Sequence, residues 1–171
     1  MSILKKSIVA SAALALPFAV SANSKLEKMM KDPNQWVQQS GDYAGHRYSE
    51  LDQINKSNVG SLKVAWTFST GVLRGHEGGP LVIGDVMYVH TAIPNIVYAL
   101  DLNDNQRIMW KYNPVKGGKY PGGETMDRVI SVMCCDNVNR GVNYHPNGTI
   151  VLHAADTLSL IHISEPTRLT R

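Results

Sequence analysis

The sequence predicts an all-β protein built from repeated sheet units, a β-propeller of which this chain carries about one and a half blades. Three observations carry that expectation. Short β-rich runs follow one another from residue 80 to residue 112, separated by turn residues. The pattern restarts after a Gly/Pro-rich stretch. Tyr88-Val89-His90 then aligns with Val151-Leu152-His153, 63 positions further on. A propeller closes only with its other blades, so this stretch alone is expected to expose sheet faces and to aggregate readily.

The elements read in order as follows. Residues 24–31 predict a short helix, with Ser24 as cap, Glu27 three positions on, and Asp32-Pro33 as the stop. Residues 57–62 read as a second short turn or helix, and Val64-Ala65-Trp66-Thr67-Phe68 is a strand candidate. Pro80-Leu81-Val82-Ile83 and Val86-Met87-Tyr88-Val89-His90 flank Gly84-Asp85, the composition of a tight hairpin. Residues 96–101 and 107–112 supply the next two strands, completing one four-stranded antiparallel unit. Residues 113–125 are dense in Gly and Pro and predict a surface connection between blades. Residues 141–145 and 149–153 flank Pro146-Asn147-Gly148, a second hairpin. Trp66 and Trp110 are expected to pack between blades. His90 and His153 stand at equivalent strand positions, which argues for structural roles, and the six histidines form no ligand cluster.

The ends of the chain differ in style from its middle. Residues 1–22 read as a secretory signal: Lys5 and Lys6, an apolar run from Ile8 to Val20, then the small residues Val20-Ser21-Ala22. The apolar run is shorter than the ~20 residues a spanning helix needs, so no membrane span is expected once the signal is removed. Residues 23–157 form the presumed mature segment, and residues 158–171 read as a non-native tail. Its Leu158–Arg168 stretch can be written in codons that resemble a sequencing-library adaptor. Charge carries little information. The chain has 17 basic and 14 acidic residues, and setting aside both ends brings the two counts level. No basic stripe with interleaved aromatics is present, which argues against nucleic acid as a partner.

The chemistry-bearing run is Cys134-Cys135-Asp136-Asn137-Val138-Asn139-Arg140-Gly141, which holds the chain's only two cysteines. Adjacent Cα atoms lie about 3.8 Å apart, below the ~4.4 Å at which bridged cysteines usually begin. A bridge here strains the peptide and adds almost no loop-closure stability. The pair is therefore free, or bridged for a purpose other than holding the fold, and export favours the bridge. Arg140, five residues beyond, can fork onto a carboxylate, or pair on the surface with Asp136. Glu77 stands between Gly75 and Gly78-Gly79, a setting that lets backbone approach a ligand closely. His76-Glu77 has no second histidine at the spacing a zinc protease needs.

Four motifs in this order, Trp66-Thr67-Phe68-Ser69-Thr70-Gly71, Gly75-His76-Glu77-Gly78-Gly79-Pro80, Tyr98-Ala99-Leu100-Asp101 with Trp110, and the Cys134–Gly141 run, carry a specific resemblance. Together they resemble the N-terminal part of the large subunit of quinoprotein methanol dehydrogenases. The stretch Gly71–Glu77 is most similar to the lanthanide-dependent branch. The resemblance implies an eight-bladed β-propeller. It implies oxidation of methanol or other primary alcohols with pyrroloquinoline quinone (PQQ) and a bound Ca²⁺ or lanthanide ion. It implies a periplasmic location, cytochrome c as electron acceptor, and a homodimer or a pairing with a small subunit. It makes Glu77 and Arg140 cofactor-contacting residues and Cys134–Cys135 a disulfide stacked on the quinone. The metal, acting as Lewis acid, and the aspartate that takes the alcohol proton belong to the family's chain beyond the position of Thr157. No catalytic base and no metal ligand is therefore expected in this chain, which alone should be inactive. The alternative is a non-catalytic propeller scaffold of the cell envelope. Such a scaffold has no need of a strained cysteine pair and would carry a lipid-attachment cysteine near residue 22, where the sequence has none.

Overall fold

The computed structural model describes residues 23–120, 122–133 and 137–154 and the backbone of 160–164. The signal segment, the cysteine pair with Asp136, and the rest of the expected tail lie outside the described residues.

A helix α1 (Ser24–Met30) opens the described chain. Its cap is Asn23 rather than Ser24: the Asn23 side chain accepts from the Leu26 amide at 3.2 Å, and Ser24 is already helical. Asn caps as well as Ser, so composition alone did not separate the two. The second short element is a single 3₁₀ turn, Val59–Ser61.

The first sheet contains β1 (Leu81–Ile83), β2 (Val86–His90), β3 (Val97–Asp101) and β4 (Arg107–Tyr112), in sequential antiparallel order. Gly84 has φ +57°, the left-handed conformation that a two-residue hairpin asks of its first position. Arg107 ties the β3–β4 turn by pairing with Asp104 at 2.6 Å and Asp101 at 3.2 Å. Trp36 adds one further rung outside β1, exchanging both backbone hydrogen bonds with Val82 at 2.8 and 2.9 Å. A register shift opposite Ala99/Leu100 breaks the alternation of β4, leaving Ile108 and Met109 both exposed.

The second unit contains β5 (Val142–His145), β6 (Thr149–His153) and β7 (Leu160–Ser164), again sequential and antiparallel. β7 falls within the segment expected to be foreign, and its backbone pairs with β6 from Thr149 to His153.

Period-2 alternation assigns the two faces of the first sheet to different neighbours. Leu81, Tyr88, Val97 and Ala99 form one buried cluster with Val142, Ile150 and Leu152 of the second unit. Trp110 joins that cluster, with its ring 5.9 Å from Tyr88, so it packs between the units as the sequence suggested. The opposite face carries Tyr98 and Leu100, which pack with Ile96 against Phe68 and Val72. Phe68 meets Tyr98 edge-on at 5.1 Å.

Two expectations fail. Residues 64–68 are not a strand: they make no ladder among the described residues, with Val64 81% and Trp66 39% exposed. Trp66 therefore does not pack between the units. The described part of the 113–125 connection holds no helix or strand; α2 (Met126–Val132) follows it, capped by Thr125 accepting from the Arg128 amide. Tyr120, Val129 and Ala154 form a third buried cluster there, with Met126 and Met133 against it.

Candidate functional site

Glu77 and Arg140 occupy matching places in the two units. Each lies in the irregular segment leading into its unit's first strand, four residues before Leu81 and two before Val142. The packing of the two sheets brings these segments together. Arg140 Nε donates to Glu77 Oε2 at 3.4 Å across 63 positions of sequence. The side chains are 83% and 52% exposed, so the pair is worth less than about 1 kcal/mol to the fold. Among the described residues Arg140 engages Glu77 through its Nε alone, and its side chain is largely exposed.

The backbone beneath this pair is far more constrained. His90, the last residue of β2, is 4% exposed, and its Nε2 lies 3.0 Å from the Asn139 carbonyl oxygen. A carbonyl only accepts, so Nε2 carries a hydrogen, and burial favours the neutral ring. Burial holds its pKa below the ordinary 6.5, the Asn139 carbonyl pulls the other way, and His76 adds a small push downward. Nδ1 is buried without a hydrogen-bond partner among the described residues.

Gly78 rests on the same ring. A Cβ placed there would lie 2.2 Å from two ring atoms of His90 and 2.8 Å from the Arg140 carbonyl oxygen. Here the glycine serves close packing within the protein rather than approach to a ligand. At Gly79 an added Cβ would meet only Gln39, at 3.7 Å.

Asn139 fastens the arginine's segment from the other side. Its Nδ2 donates to Asn95 Oδ1 at 3.0 Å and to the His153 carbonyl at 3.1 Å, and its Oδ1 accepts from the Gly141 amide at 3.0 Å. Asn95 is itself buried, and its Nδ2 faces the Tyr120 hydroxyl at 3.4 Å. Sequence reasoning did not single out Asn139 or Asn95. Their partners lie up to 44 residues away and include main-chain groups, which no motif spacing encodes.

Arg140 and Asn139 line a cleft of about 320 Å³ together with Met133, Val138 and His153. A larger cleft of about 870 Å³, between α1, Trp36 and the loop around Asp42 and His46, contains none of the expected site residues. Cys134 and Cys135 lie outside the described residues, so geometry speaks only for Glu77 and Arg140. Among the described residues no group of three His, Cys, Asp or Glu side chains is placed to hold a metal ion, and no helix is long and apolar enough to cross a membrane.

These residues fit a carboxylate-bearing group. An exposed guanidinium fork can take one carboxylate in a bidentate pair. A bare Glu77 would repel such a group, but Arg140 at 3.4 Å offsets its charge.

The sequence matches the family described as PQQ glucose/ethanol/alcohol dehydrogenase, beta-propeller domain, over residues 36–168. The lanthanide-dependent methanol dehydrogenase of Methylorubrum extorquens is 56% identical over 146 residues, covering 85% of this chain and 23% of that protein. Methanol dehydrogenase (cytochrome c) subunit 1 of Paracoccus denitrificans is 48% identical, over 74% of this chain and 18% of that one. Among solved structures, a europium-containing methanol dehydrogenase superposes with a TM-score of 0.69 at 52% identity, covering 77% of this chain and 21% of that one. The chain thus spans between 18% and 23% of the length of these relatives.

Proposed function

Because the chain belongs to the PQQ glucose/ethanol/alcohol dehydrogenase β-propeller family, we propose that it is the N-terminal part of a periplasmic alcohol dehydrogenase of the methanol dehydrogenase type. In this reading the full-length protein oxidises methanol or other primary alcohols with PQQ and passes electrons to a cytochrome c. The observation that carries it is the Glu77–Arg140 contact, which joins two loops distant in sequence and, among the described residues, uses only the arginine's Nε.

When bound, the quinone supplies the two-electron acceptor, and a Ca²⁺ or lanthanide ion supplies the Lewis acid. This chain's residues bind and orient. Arg140 would hold a cofactor carboxylate or carbonyl oxygen, and Glu77, its charge offset by Arg140, would contact the same group. Cys134 and Cys135, as a disulfide, offer a polarisable surface for one face of the ring, making dispersion contact without competing hydrogen bonds. The metal ligands and the base that takes the alcohol proton are assigned to the part of the relatives that this chain does not span. Similarity to a lanthanide-dependent relative favours a lanthanide as the ion.

The test is reconstitution of the full-length gene product with PQQ and either Ca²⁺ or a lanthanide. Alcohol-dependent reduction of cytochrome c supports the assignment. Tight binding of an envelope partner without turnover supports the scaffold instead. We further propose that residues 1–22 are removed on export and that residues 158–171 are foreign. Sequencing the locus from independent DNA tests the latter: a different continuation after Thr157 supports it, and the same tail overturns it.

A further inference from the structure

The exposed Glu77–Arg140 contact is too weak to set its own geometry. One buried side chain touches the backbone on both sides of it. The His90 ring supports Gly78, the residue after Glu77, with no room for even a methyl group between them. The same ring's Nε2–H holds the carbonyl of Asn139, the residue before Arg140. His90 is 4% exposed, and its register partner Val97 on β3 is fully buried. Beyond the ring, the Asn139 side chain holds the Gly141 amide, so the backbone is held on either side of Arg140 while its side chain is largely exposed.

We propose that His90 is a positioning residue for the quinone site: one neutral, buried imidazole sets the spacing of the Glu77 and Arg140 loops so that their side chains meet the cofactor together. The inference rests on reading that pair as a quinone-binding site. It assigns His90 no contact with the cofactor. Its donor is what matters, because loss of the hydrogen bond frees the Asn139–Arg140 peptide to shift while the sheet beneath stays folded.

The experiment uses the full-length protein prepared without quinone. PQQ is titrated by the absorbance and fluorescence of the bound cofactor, and thermal unfolding is measured in parallel. His90→Leu keeps the bulk and removes the donor. His90→Asn keeps an amide too short to reach Asn139. His90→Gln places an N–H near the position of the imidazole Nε2. The expected result is a loss of PQQ affinity of at least tenfold for Leu and Asn, with Gln within threefold of wild type. In an Arg140→Ala background, His90→Leu should add less than threefold. If the Leu variant does not fold, the Asn and Gln pair decides. Retained affinity in Leu or Asn overturns the proposal, as does equal loss in Asn and Gln. If Arg140→Ala itself leaves affinity unchanged, it is the reading of the pair that fails.

Discussion

His90 and His153 end the second strand of their respective units, one repeat apart, yet the structure uses them differently. His90 is buried, and its ring joins two loops. His153 is exposed, and only its main-chain carbonyl takes part, accepting from Asn139. The repeat fixes where the strand ends. The neighbouring unit decides what the side chain does. At His90 that neighbour is the 137–141 segment of the second unit. A repeated residue in a propeller is therefore a repeated backbone position, and equal chemistry does not follow from it.

Substitutions can break or sharpen this contrast. The largest effect is expected for Arg140→Ala. Losing a charge-assisted pair of hydrogen bonds costs about 1.5–3 kcal/mol, or roughly a ten- to hundredfold loss of PQQ affinity, with little change in the thermal midpoint. Titration of PQQ into the full-length variant measures it. Next comes Gly78→Ala. Its methyl would sit 2.2 Å from the His90 ring, so overpacking should cost about 1–3 kcal/mol, seen as a lowered unfolding midpoint, whereas Gly84→Ala meets only the strain of a positive φ.

A smaller effect is expected from pH. Burial depresses the folded-state pKa of His90, so below 6.5 the unfolded chain takes up a proton that the folded chain refuses. The contribution of His90 to stability is thus complete above pH 6.5 and declines as pH falls below it. Denaturant midpoints measured from pH 7.5 to pH 5 should fall less steeply in His90→Gln than in wild type. His153→Ala should change stability by no more than about 0.5 kcal/mol, as expected of an exposed side chain. A loss as large as that of a His90 variant would erase the contrast.

The strands were legible because their signals are local. Gly84-Asp85 and Pro146-Asn147-Gly148 mark tight turns, and period-2 runs on either side fix the register. β4 was found with its correct bounds, but its bulge was not, since a bulge depends on the partner strand. Sequence reasoning assigned no element to 126–132, where α2 follows the Gly/Pro-dense connection 113–125. Its signal lay just beyond, with Thr125 as cap and Met126, Val129 and Met133 at i, i+3 and i+7. Residues 64–68 have strand composition, but a strand also needs a partner edge, and none is present among the described residues. Glu77 and Arg140 came from motif resemblance, and the fold brings them within 3.4 Å. Asn139 remained hidden, because its partners are main-chain groups of its own unit and the Asn95 and His90 side chains of the first.

The central claim is that Glu77 and Arg140 act on one ligand. A double-mutant cycle on PQQ affinity in the full-length protein, with Glu77→Gln and Arg140→Met, tests it most directly. The account predicts that the double variant loses at least threefold less than the product of the two single losses. Losses that simply multiply would contradict it.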